Sequence, residues 1–358
     1  MRSSSLLCAR AVATDSWVAA VPEGLIRNII RLMLRGNSIG VVVPAFRVAA
    51  QIGEVVRRMP TFVDRVFVVD DACPEGSGDS AAAVEDPRVK ILRHDENQGV
   101  GGAMATGFEA ALEAGLDVVA KCDGDGQMDP ADLALLLDPL LDGRAEYAKG
   151  CRFYHADELR RMPTSRLVGN IGLTFLSKLA SGYWHVLDPQ NGFVAIEAET
   201  LRQLSIKRLA RDYFFENDML IRLNVLGARV VDVSMPARYG TETSSLSPWR
   251  TLRSFPAKLL RGFVRRIVLK HFIYDVTPTA LFGLAGLTLL ISGSAFGLYH
   301  WIRSALERHT TPAGTVILAA VPLLLGSELL LRALVFDIES TPRPAKPIRR
   351  IDRRGTAE

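Results

Sequence analysis

The chain has little cysteine, and none of it is arranged in pairs. Its four cysteines, Cys8, Cys73, Cys122 and Cys151, stand far apart, without CxxC or His-pair spacing. This pattern indicates neither a zinc site nor a disulfide framework, and it is typical of thiols in a reducing compartment. The first 35 residues also lack a basic stretch followed by an apolar core and a small-residue cleavage site, so no signal peptide is predicted.

Charge of neither sign dominates the chain, which carries a formal net charge of +4. Lys and Arg nevertheless crowd together in residues 250–270 and 343–354, on either side of an apolar C-terminal region. Basic clusters that flank apolar segments are typical of contacts with anionic lipid headgroups. We therefore expect membrane lipids as partners, and we do not expect nucleic acid.

Two long apolar segments lie near the C-terminus, at residues 279–301 and 313–336. Each has the ~20 residues that are needed to cross a hydrocarbon core of about 30 Å. The basic clusters precede the first segment and follow the second, so the positive-inside rule places both ends of the chain in the cytoplasm. The sequence predicts a multi-pass protein of the inner (plasma) membrane whose folded body and both termini are cytoplasmic.

The second apolar segment contains a pair of opposite charges, Glu328 and Arg332. Positions four apart share one face of a helix, so these side chains can pair with each other, and they can also pair across an oligomer. A homo-oligomer is therefore a hypothesis for this chain.

Changes in composition divide the chain into five predicted parts. These are an N-terminal extension with a candidate amphipathic helix (1–37), an α/β body (38–245), amphipathic juxtamembrane helices (246–275), two transmembrane helices (276–338) and a basic cytoplasmic tail (339–358). The juxtamembrane part repeats apolar residues at helical spacing, namely Leu252, Phe255, Leu259, Phe263 and Ile267. Interleaved basic residues predict that this stripe lies in the headgroup layer; the alternative is that it packs on the body. Pro256 predicts a break in the helix.

Within residues 38–245, short apolar runs such as SIGVVVPAF and DRVFVVDDA alternate with helical stretches. Strands that are apolar throughout and separated by helices indicate a mostly parallel sheet that is covered on both faces. Ligands of such sheets bind beyond the carboxyl ends of the strands. Asp70, Asp71, Asp123 and Asp125 fall at these ends, which predicts an acidic, ligand-binding edge in an α/β fold.

The segment LDVVAKCDGDGQMDP, residues 116–130, is the strongest single motif. An apolar strand that ends in Asp123-x-Asp125 brings two carboxylates to the edge of the sheet, and Gln127 adds an amide oxygen. Such hard oxygen ligands suit Mg²⁺ or Mn²⁺ that holds a diphosphate. A lone DxD is common on surface loops, but the strand before it and the Asp129-Pro130 after it make this motif more specific.

These motifs resemble those of the family 2 glycosyltransferases with a GT-A fold, in the dolichyl-phosphate-mannose synthase and bacterial polyprenyl-phosphate glycosyltransferase branch. The resemblance covers about residues 38–245, where VVVPAF, VVDDA, RHDENQGVGGAMATGF, DGDGQ, DPQNGF and FFEND stand in the family's order, and the two C-terminal spans match the bacterial branch. It implies transfer of a hexose or N-acetylhexosamine from a UDP- or GDP-sugar to polyprenyl phosphate, with inversion. The product would be a lipid-linked sugar for cell-envelope glycan assembly.

The resemblance also implies which residues bind the nucleotide-sugar. They are Pro44, Ala45, Asp70, Asp71, Asn97, Gly101, Asp123, Asp188, Gln190 and Asn191. Asp125 and Gln127 would hold the metal, with Asp123 beside them, near the ribose and the donor sugar. The glycines at 99, 101 and 102 would let the backbone approach the donor, unless they only open a helix.

For the acceptor phosphate, the resemblance implies three arginines, Arg152, Arg166 and Arg238, because the guanidinium fork suits phosphate. The implied catalytic residues are Asp123, Asp125, Glu216 and Asp218. Glu216 and Asp218 differ by about 200° around a helix, so both cannot face one pocket. We favour Asp218 as the base and Glu216 as a partner of the sugar or of an arginine.

The chain departs from the family pattern at three places. Arg47 and Val48 follow the first-strand proline where relatives often have Asn-Glu, Asn170 stands where Ser is frequent, and Ser245 stands where Lys often follows a Ser. We therefore expect the contacts with the nucleobase and with the acceptor phosphate to differ from those in the mannose synthases.

Two other functions fit parts of the pattern, a processive polysaccharide synthase and a non-catalytic lipid-binding scaffold. The sequence lacks the QxxRW motif with which processive enzymes hold a growing chain, and two spans hardly form a polymer channel. The intact DGDGQ and FFEND motifs argue against a scaffold without catalysis. Transfer to polyprenyl phosphate is therefore the preferred interpretation.

Overall fold

Seven strands form one sheet in the computed structural model, which describes residues 36–152, 164–235 and 248–344. In chain order they are β1 (Ile39–Ala45), β2 (Arg65–Asp70), β3 (Val89–Arg93), β4 (Val118–Lys121), β5 (Tyr147–Cys151), β6 (Val194–Glu197) and β7 (Val230–Ser234). Their order across the sheet is β3-β2-β1-β4-β6-β5-β7. Neighbouring strands are parallel except at β6, which runs antiparallel to both β4 and β5. The predicted mostly parallel sheet is confirmed.

Ten α-helices accompany the sheet in the described residues. They are α1 (Ala49–Arg57), α2 (Ser77–Ala82), α3 (Val100–Glu113), α4 (Leu133–Leu141), α5 (Thr164–Ser181), α6 (Ala198–Gln203), α7 (Phe215–Leu226), α8 (Pro248–Val268), α9 (Pro278–Glu307) and α10 (Ala313–Glu339). Two 3₁₀ turns, Pro130–Asp132 and Ile206–Arg208, and a π-helical turn, Leu269–Ile273, complete the regular structure.

Both faces of the sheet are covered, as the apolar strands predict. Along β1, Val41 and Val43 belong to one core layer and Val42 to the other, because successive side chains of a strand point to opposite faces. Helices α1 and α4 cover the first layer, and α3, α6 and α7 cover the second. The parallel strands β1, β2 and β4 end at one edge of the sheet, which places the turns after them side by side.

Helix α8 packs on the body through part of the apolar stripe that was predicted to lie in the headgroup layer. Phe255 and Leu259 are buried in a cluster with Phe214 and Ile221, and the rings of Phe214 and Phe255 meet edge to face with centroids 5.6 Å apart. Phe255 and Leu259 thus pack on the body, which was the alternative to a place in the headgroup layer. The predicted break at Pro256 is wrong: its ring is exposed, and the buried residues on both sides stabilise a continuous helix.

Helices α9 and α10 form a hairpin that is closely packed at glycines. A Cβ on Gly286 would lie 2.9 Å from the carbonyl oxygen of Gly326, and small residues permit such a close approach. Both helices are long enough and apolar enough to cross a membrane. Only 11% and 6% of their most apolar windows are buried, in contrast to the core helix of a soluble protein.

The ion pair predicted within the second apolar segment is confirmed. Arg332 Nε lies 2.9 Å from Glu328 Oε1 on an exposed face of α10. The homo-oligomer stays a prediction. The candidate amphipathic helix of residues 1–37 and the basic tail of residues 339–358 lie outside the described residues, apart from 36–37 and 339–344.

Candidate active site

Asp123 and Asp125 stand on the turn that follows β4, at the edge where the parallel strands end. Lys121, the last residue of β4, pairs in register with Val42 of the neighbouring β1. The backbone amide of Gln127 donates to Asp125 Oδ1 at 3.0 Å, which shapes the turn. The side chain of Asp123 is 29% exposed, so the turn presents a carboxylate that a ligand can reach.

Lys121 holds two of the predicted catalytic carboxylates together. Its Nζ lies 2.8 Å from Asp123 Oδ1 and 3.3 Å from Glu216 Oε1, and its side chain is only 2% exposed. Burial alone would lower the pKa of Lys121, but the charges of Asp123 and Glu216 raise this pKa above its ordinary value. Lys121 is therefore protonated at neutral pH. No motif in the sequence singles out Lys121, although a lysine at the end of an otherwise apolar strand is a signal for a functional residue.

The turn of residues 188–193 lies directly on this pair of charges. A Cβ on Gly192 would overlap Lys121 Nζ and would lie 2.9 Å from Asp123 Oδ2. Only glycine fits at this position without a shift of the lysine or the aspartate. The DPQNGF motif thus brings its backbone against the DGDGQ motif.

Asp188 and Asn191, predicted to border the sugar pocket, shape this turn. Asp188 is buried and accepts hydrogen bonds from Arg152 Nε at 2.8 Å and Arg152 Nη2 at 3.2 Å. Asn191 Nδ2 donates to Asp188 Oδ2 at 3.4 Å, and its Oδ1 accepts from the amide of Phe193. Gln190 is exposed at the tip of the turn.

Of the three arginines predicted for the lipid phosphate, Arg152 contacts the turn of residues 188–193. Its side chain is 43% exposed while it contacts Asp188. Arg166 lies in the first turns of α5, and Arg238 lies outside the described residues. Their contact with phosphate stays a prediction.

A second buried lysine, Lys149 on β5, supports the same turn. Its Nζ donates a hydrogen bond to the carbonyl oxygen of Asn191. Burial lowers the pKa of Lys149 to about 8, although Glu216, Asp188 and Asp232 act in the opposite direction. No motif in the sequence indicates Lys149 either, because its role depends on a partner 42 residues away.

Glu216 and Asp218 point to different surroundings, as the helical geometry predicts. Glu216, at the start of α7, faces Lys121 and through it Asp123. Asp218 Oδ2 instead accepts hydrogen bonds from Arg222 Nε at 2.8 Å and from the amide of Ala210 at 3.0 Å. The structure therefore pairs Glu216 with the Asp123 turn through Lys121 and pairs Asp218 with Arg222, and the catalytic role of each stays a prediction.

The two aspartates predicted for the nucleoside are both buried, and their carboxylates bind the protein's own loops. Asp70 accepts hydrogen bonds from the amides of Cys73 and Gly78. Asp71 accepts from the amides of Gln98 and Gly99, each at 2.8 Å. These contacts fix the loops around the predicted base and ribose pocket.

Further nucleotide-sugar candidates flank these aspartates. Pro44 and Ala45 end β1, and Ala45 pairs in register with Asp70. Asn97 is exposed, and its Nδ2 donates to the carbonyl oxygen of Asp71 at 3.2 Å. Arg47, at which the chain departs from the family pattern, is exposed and has φ 57°. The backbone amide of Arg47 donates to Cys73 Sγ at 3.1 Å.

The glycines at the start of α3 contact another part of the chain. The amide of Gly101 donates to the carbonyl oxygen of Arg211 at 2.8 Å, and a Cβ on Gly101 would overlap the carbonyl of Ala210. A Cβ on Gly99 would lie 2.5 Å from the Arg211 carbonyl oxygen. These glycines thus let the segment before α7 pack against the helix start, and their approach to a donor stays a prediction.

The donor set at the turn fits a divalent cation that shares its ligands with a substrate. Among the described residues, no group of three or more His, Cys, Asp or Glu side chains is arranged to hold a metal. Asp123, Asp125 and Gln127 offer two carboxylates and one amide on a single turn. Mg²⁺ is usually bound in this way, by one or two carboxylates together with phosphate oxygens and water.

Comparisons with known proteins agree with this geometry. The family model described as Glycosyl transferase family 2 matches residues 40–205. The chain is 31% identical over 195 residues to the UDP-N-acetylglucosamine–dolichyl-phosphate N-acetylglucosaminyltransferase of Methanococcus voltae. The aligned residues cover 50% of this chain and 77% of that protein. This chain belongs to glycosyltransferase family 2. It is a glycosyltransferase, as the resemblance predicts.

Two further likenesses extend this finding. The family 2 chain is 35% identical over 171 residues to the undecaprenyl-phosphate mannosyltransferase of Micrococcus luteus, covering 47% of this chain and 69% of that one. The glucosyl-3-phosphoglycerate synthase of Mycobacterium tuberculosis, solved with Mg²⁺ and UDP, superposes with a TM-score of 0.51 at 20% identity, over 67% of this chain and 82% of that one. This likeness shows the fold, and the predicted GT-A class is confirmed.

Proposed function

We propose that this family 2 glycosyltransferase moves a hexose or N-acetylhexosamine from a UDP- or GDP-sugar to polyprenyl phosphate at the cytoplasmic face of a membrane. The observation that carries the proposal is the convergence of Asp123, Lys121 and Glu216 under Gly192, at the ligand-binding edge of the sheet. The acceptor class is supported by the relatives from Methanococcus voltae and Micrococcus luteus, whose names specify dolichyl phosphate and undecaprenyl phosphate.

The proposed reaction is a single displacement with inversion. A phosphate oxygen of the acceptor forms a bond to the anomeric carbon while the bond from that carbon to the nucleoside diphosphate breaks. The leaving diphosphate keeps the electron pair, so negative charge grows next to the Asp123–Asp125 turn. A divalent cation bound by Asp123, Asp125 and Gln127 would neutralise that charge.

The residues of the chain itself orient the reacting groups. Lys121 holds the Asp123 carboxylate on one side, which leaves its exposed side toward the donor. Glu216, held by the same lysine, is the carboxylate that we propose for a sugar hydroxyl. A phosphate monoester with a second pKa of about 6 is largely ionised at pH 7, so the acceptor needs little deprotonation.

The acceptor phosphate needs a cationic surface more than it needs a base. We propose that Arg152, Arg166 and Arg238 supply it, because guanidinium groups bind phosphate in a bidentate way. Arg152 supports this proposal because it reaches the sugar side of the site through Asp188 and is still partly exposed.

The hairpin of α9 and α10 is the proposed membrane anchor. Two spans return the chain to its starting side, and Arg261 and Arg265 are exposed on α8 just before the first span. Basic residues near a span are typical of the cytoplasmic side. We propose that the body and both termini lie there.

The test uses the full chain in lipid nanodiscs with Mg²⁺ or Mn²⁺, undecaprenyl phosphate and a panel of UDP- and GDP-sugars. Mass spectrometry of the lipid fraction should show one hexose or one N-acetylhexosamine added to the lipid phosphate. NMR of the product should show the anomeric configuration opposite to that of the donor. The same reaction in excess chelator should give no product.

The alternatives predict different products. A processive synthase would release a polymer, and a non-catalytic scaffold would bind lipid without consuming any donor. Retention of the anomeric configuration would contradict the single displacement. Donor hydrolysis without a glycosylated lipid would contradict the proposed acceptor.

A further inference from the structure

A buried ionic cluster joins the membrane hairpin to the catalytic body. It consists of Arg266 on α8, His271 in the π-helical turn and Asp337 in the last turns of α10, whose side chains are 0%, 0% and 2% exposed. Arg266 donates from Nη1 and Nη2 to the two oxygens of Asp337, at 2.6 and 2.8 Å. His271 Nε2 lies 2.9 Å from Asp337 Oδ1. We call these three residues the Asp337 cluster.

The same guanidinium also caps a helix of the body. Arg266 Nε donates to the carbonyl oxygen of Ala180 at 2.9 Å, and Nη2 donates to that of Leu179 at 3.1 Å. These are carbonyls of the last turn of α5, which have no partner within the helix and favour a cation. The arginine therefore links α5 of the body to α10 of the hairpin.

The residue after α5 is fitted to this contact. Gly182 has φ +79°, and a Cβ there would lie 2.7 Å from Arg266 Nη1. Its carbonyl oxygen accepts a hydrogen bond from Thr341 Oγ1 at 2.9 Å, just beyond the end of α10. A second contact thus ties the same point of the body to the end of the hairpin.

From this point the chain leads to the active site along an anchored segment. The hydroxyl of Tyr183 donates to the carbonyl oxygen of Ala228, and His185 Nε2 lies 2.8 Å from that of Val230. The segment ends at Gly192, which lies on the Lys121–Asp123 pair. The position of α10 and the position of the site are therefore connected through about ten residues, of which Tyr183 and His185 hydrogen-bond to the body.

Stability alone does not explain so many buried charges. Replacing a buried ion pair by apolar residues of similar volume is often neutral or stabilising, whereas the pair imposes one geometry. An apolar contact at this junction would hold the hairpin on the body equally well but would allow it to slide. Fixed geometry is what an enzyme with one substrate in a membrane and one in water requires.

We propose that Asp337 is a positioning residue that, through Arg266, fixes the active site at one height and orientation above the membrane. The proposal rests on the proposed function, because it concerns access to a membrane-embedded acceptor. The Asp337 cluster makes no contact with the Asp123 turn in the described contacts, so it acts on the position of the site and not on the bond that breaks.

The experiment compares two acceptors in the same protein samples. The double variant R266M/D337L removes both charges, and D337N keeps the size of the side chain. The matched control is R303M/E307L, which removes an Arg–carboxylate pair at the other end of the hairpin. For each variant, kcat/KM is measured in one nanodisc preparation, with undecaprenyl phosphate in the bilayer and with a short, water-soluble prenyl phosphate added to the solution.

The ratio of the two kcat/KM values is the decisive number, because the folded fraction of each sample cancels in it. We expect this ratio to fall about tenfold or more in R266M/D337L and D337N and to stay within about twofold in the control. A ratio within about twofold of the wild-type value in both cluster variants would overturn the proposal. If the wild-type chain glycosylates neither acceptor, the proposed function is wrong, and the decision passes to a second readout.

That second readout does not depend on activity. Nitroxide labels at Glu113, exposed at the end of α3, and at Leu306, exposed near the end of α9, report the distance between body and hairpin in nanodiscs. Cys8 and the half-buried Cys73 are replaced by serine in all samples, whereas Cys122 and Cys151 are buried and are kept. We expect a broader distance distribution in R266M/D337L than in the wild-type chain or the control. An equally narrow distribution would refute a fixing role for the cluster.

Discussion

Lys121 and Glu216 stand 95 residues apart in the chain, and their side chains meet at 3.3 Å in the buried layer below the Asp123 turn. The first belongs to the part of the chain that the family model matches, and the second lies beyond its end at residue 205. The contact joins the Asp123–Asp125 turn to the start of α7. Because both partners are buried, changes at either should be felt at the turn.

Replacing the shared lysine should disable the site. In K121M, the carboxylates of Asp123 and Glu216 lose their common cation and repel each other. We expect kcat to fall by about 10²-fold or more, a size typical for the loss of one fixed electrostatic partner. Steady-state kinetics of lipid glycosylation measure it.

The matched control is K90M, which removes an exposed lysine from β3 of the same sheet. It should keep wild-type kcat and melting temperature. The interpretation of Lys121 is wrong if K121M is as active as K90M.

Gly192 should tolerate no side chain. In G192A the new Cβ overlaps Lys121 Nζ, so either the turn of residues 188–193 or the lysine must move. We expect a loss of about 1–3 kcal/mol in stability, as in other overpacked sites, together with a lower kcat. Thermal unfolding and kinetics on the same preparation measure both.

Gly314 provides the comparison for this substitution. A Cβ there would meet no heavy atom of the described residues within 4 Å, so G314A should leave kcat unchanged and should not lower stability. Equal behaviour of G192A and G314A would contradict the close approach of the two motifs.

The sequence predicts the positions of the chemical groups along the chain better than it predicts their partners. Short apolar runs that are separated by helical stretches predict a mostly parallel sheet and place Asp123 and Asp125 at its edge, because the succession of strands and helices can be read along the chain itself. Helical geometry likewise predicts that Glu216 and Asp218 diverge. Which of them turns to the site depends on Lys121 and on Arg222, and such long-range pairs are not contained in a local pattern.

Glu216 and Asp218 should therefore differ in what their loss affects. We expect E216Q to lower kcat by about 10²-fold, because it removes a charge next to Asp123. We expect D218N mainly to lower stability, by about 1.5–3 kcal/mol, because its partners are Arg222 and the amide of Ala210.

The two effects are separated by measuring kcat and the melting temperature for both variants. Each variant serves as the control for the other, since both remove one carboxylate from the same helix turn. A large loss of kcat in D218N with unchanged stability would restore Asp218 as the base and contradict the assignment of Glu216.

Helix α8 shows a second limit of local patterns. Its periodicity predicts an amphipathic helix, but apolar residues occupy two faces: Phe255 and Leu259 pack on the body, while Leu260 and Val264 are exposed. Periodicity alone does not tell which face meets protein and which meets lipid. Local patterns do not reveal the role of Asp337 for a related reason, since its partner Arg266 lies 71 residues away.

Removal of the proposed metal ligands should abolish transfer. D125A and Q127A each take one oxygen ligand from the turn, and we expect the double variant to show less than about one hundredth of wild-type kcat at saturating Mn²⁺. E113Q, a change of an exposed residue at the end of α3, should stay fully active. Wild-type turnover of D125A/Q127A in excess chelator would show that the reaction does not use a cation at this turn.

The low pKa of Lys149 should make stability depend on pH in the alkaline range. Burial lowers this pKa from the ordinary 10.5 to about 8, so between these values the folded chain has released a proton that the unfolded chain still holds. The free energy of unfolding therefore rises with pH in this window, because the unfolded state binds more protons.

K149M lacks this contribution. The melting temperature of the wild-type chain minus that of K149M should therefore increase as pH rises from about 8 to about 10.5. Thermal unfolding of both proteins at several pH values and constant ionic strength measures the difference. Every other titrating group is common to the two chains, so its contribution cancels to first order. A difference that stays constant would show that Lys149 keeps its ordinary pKa, and one that moves in favour of K149M would show that folding raises this pKa. Either result would mean that the turn above Lys149 rests on a charged ammonium.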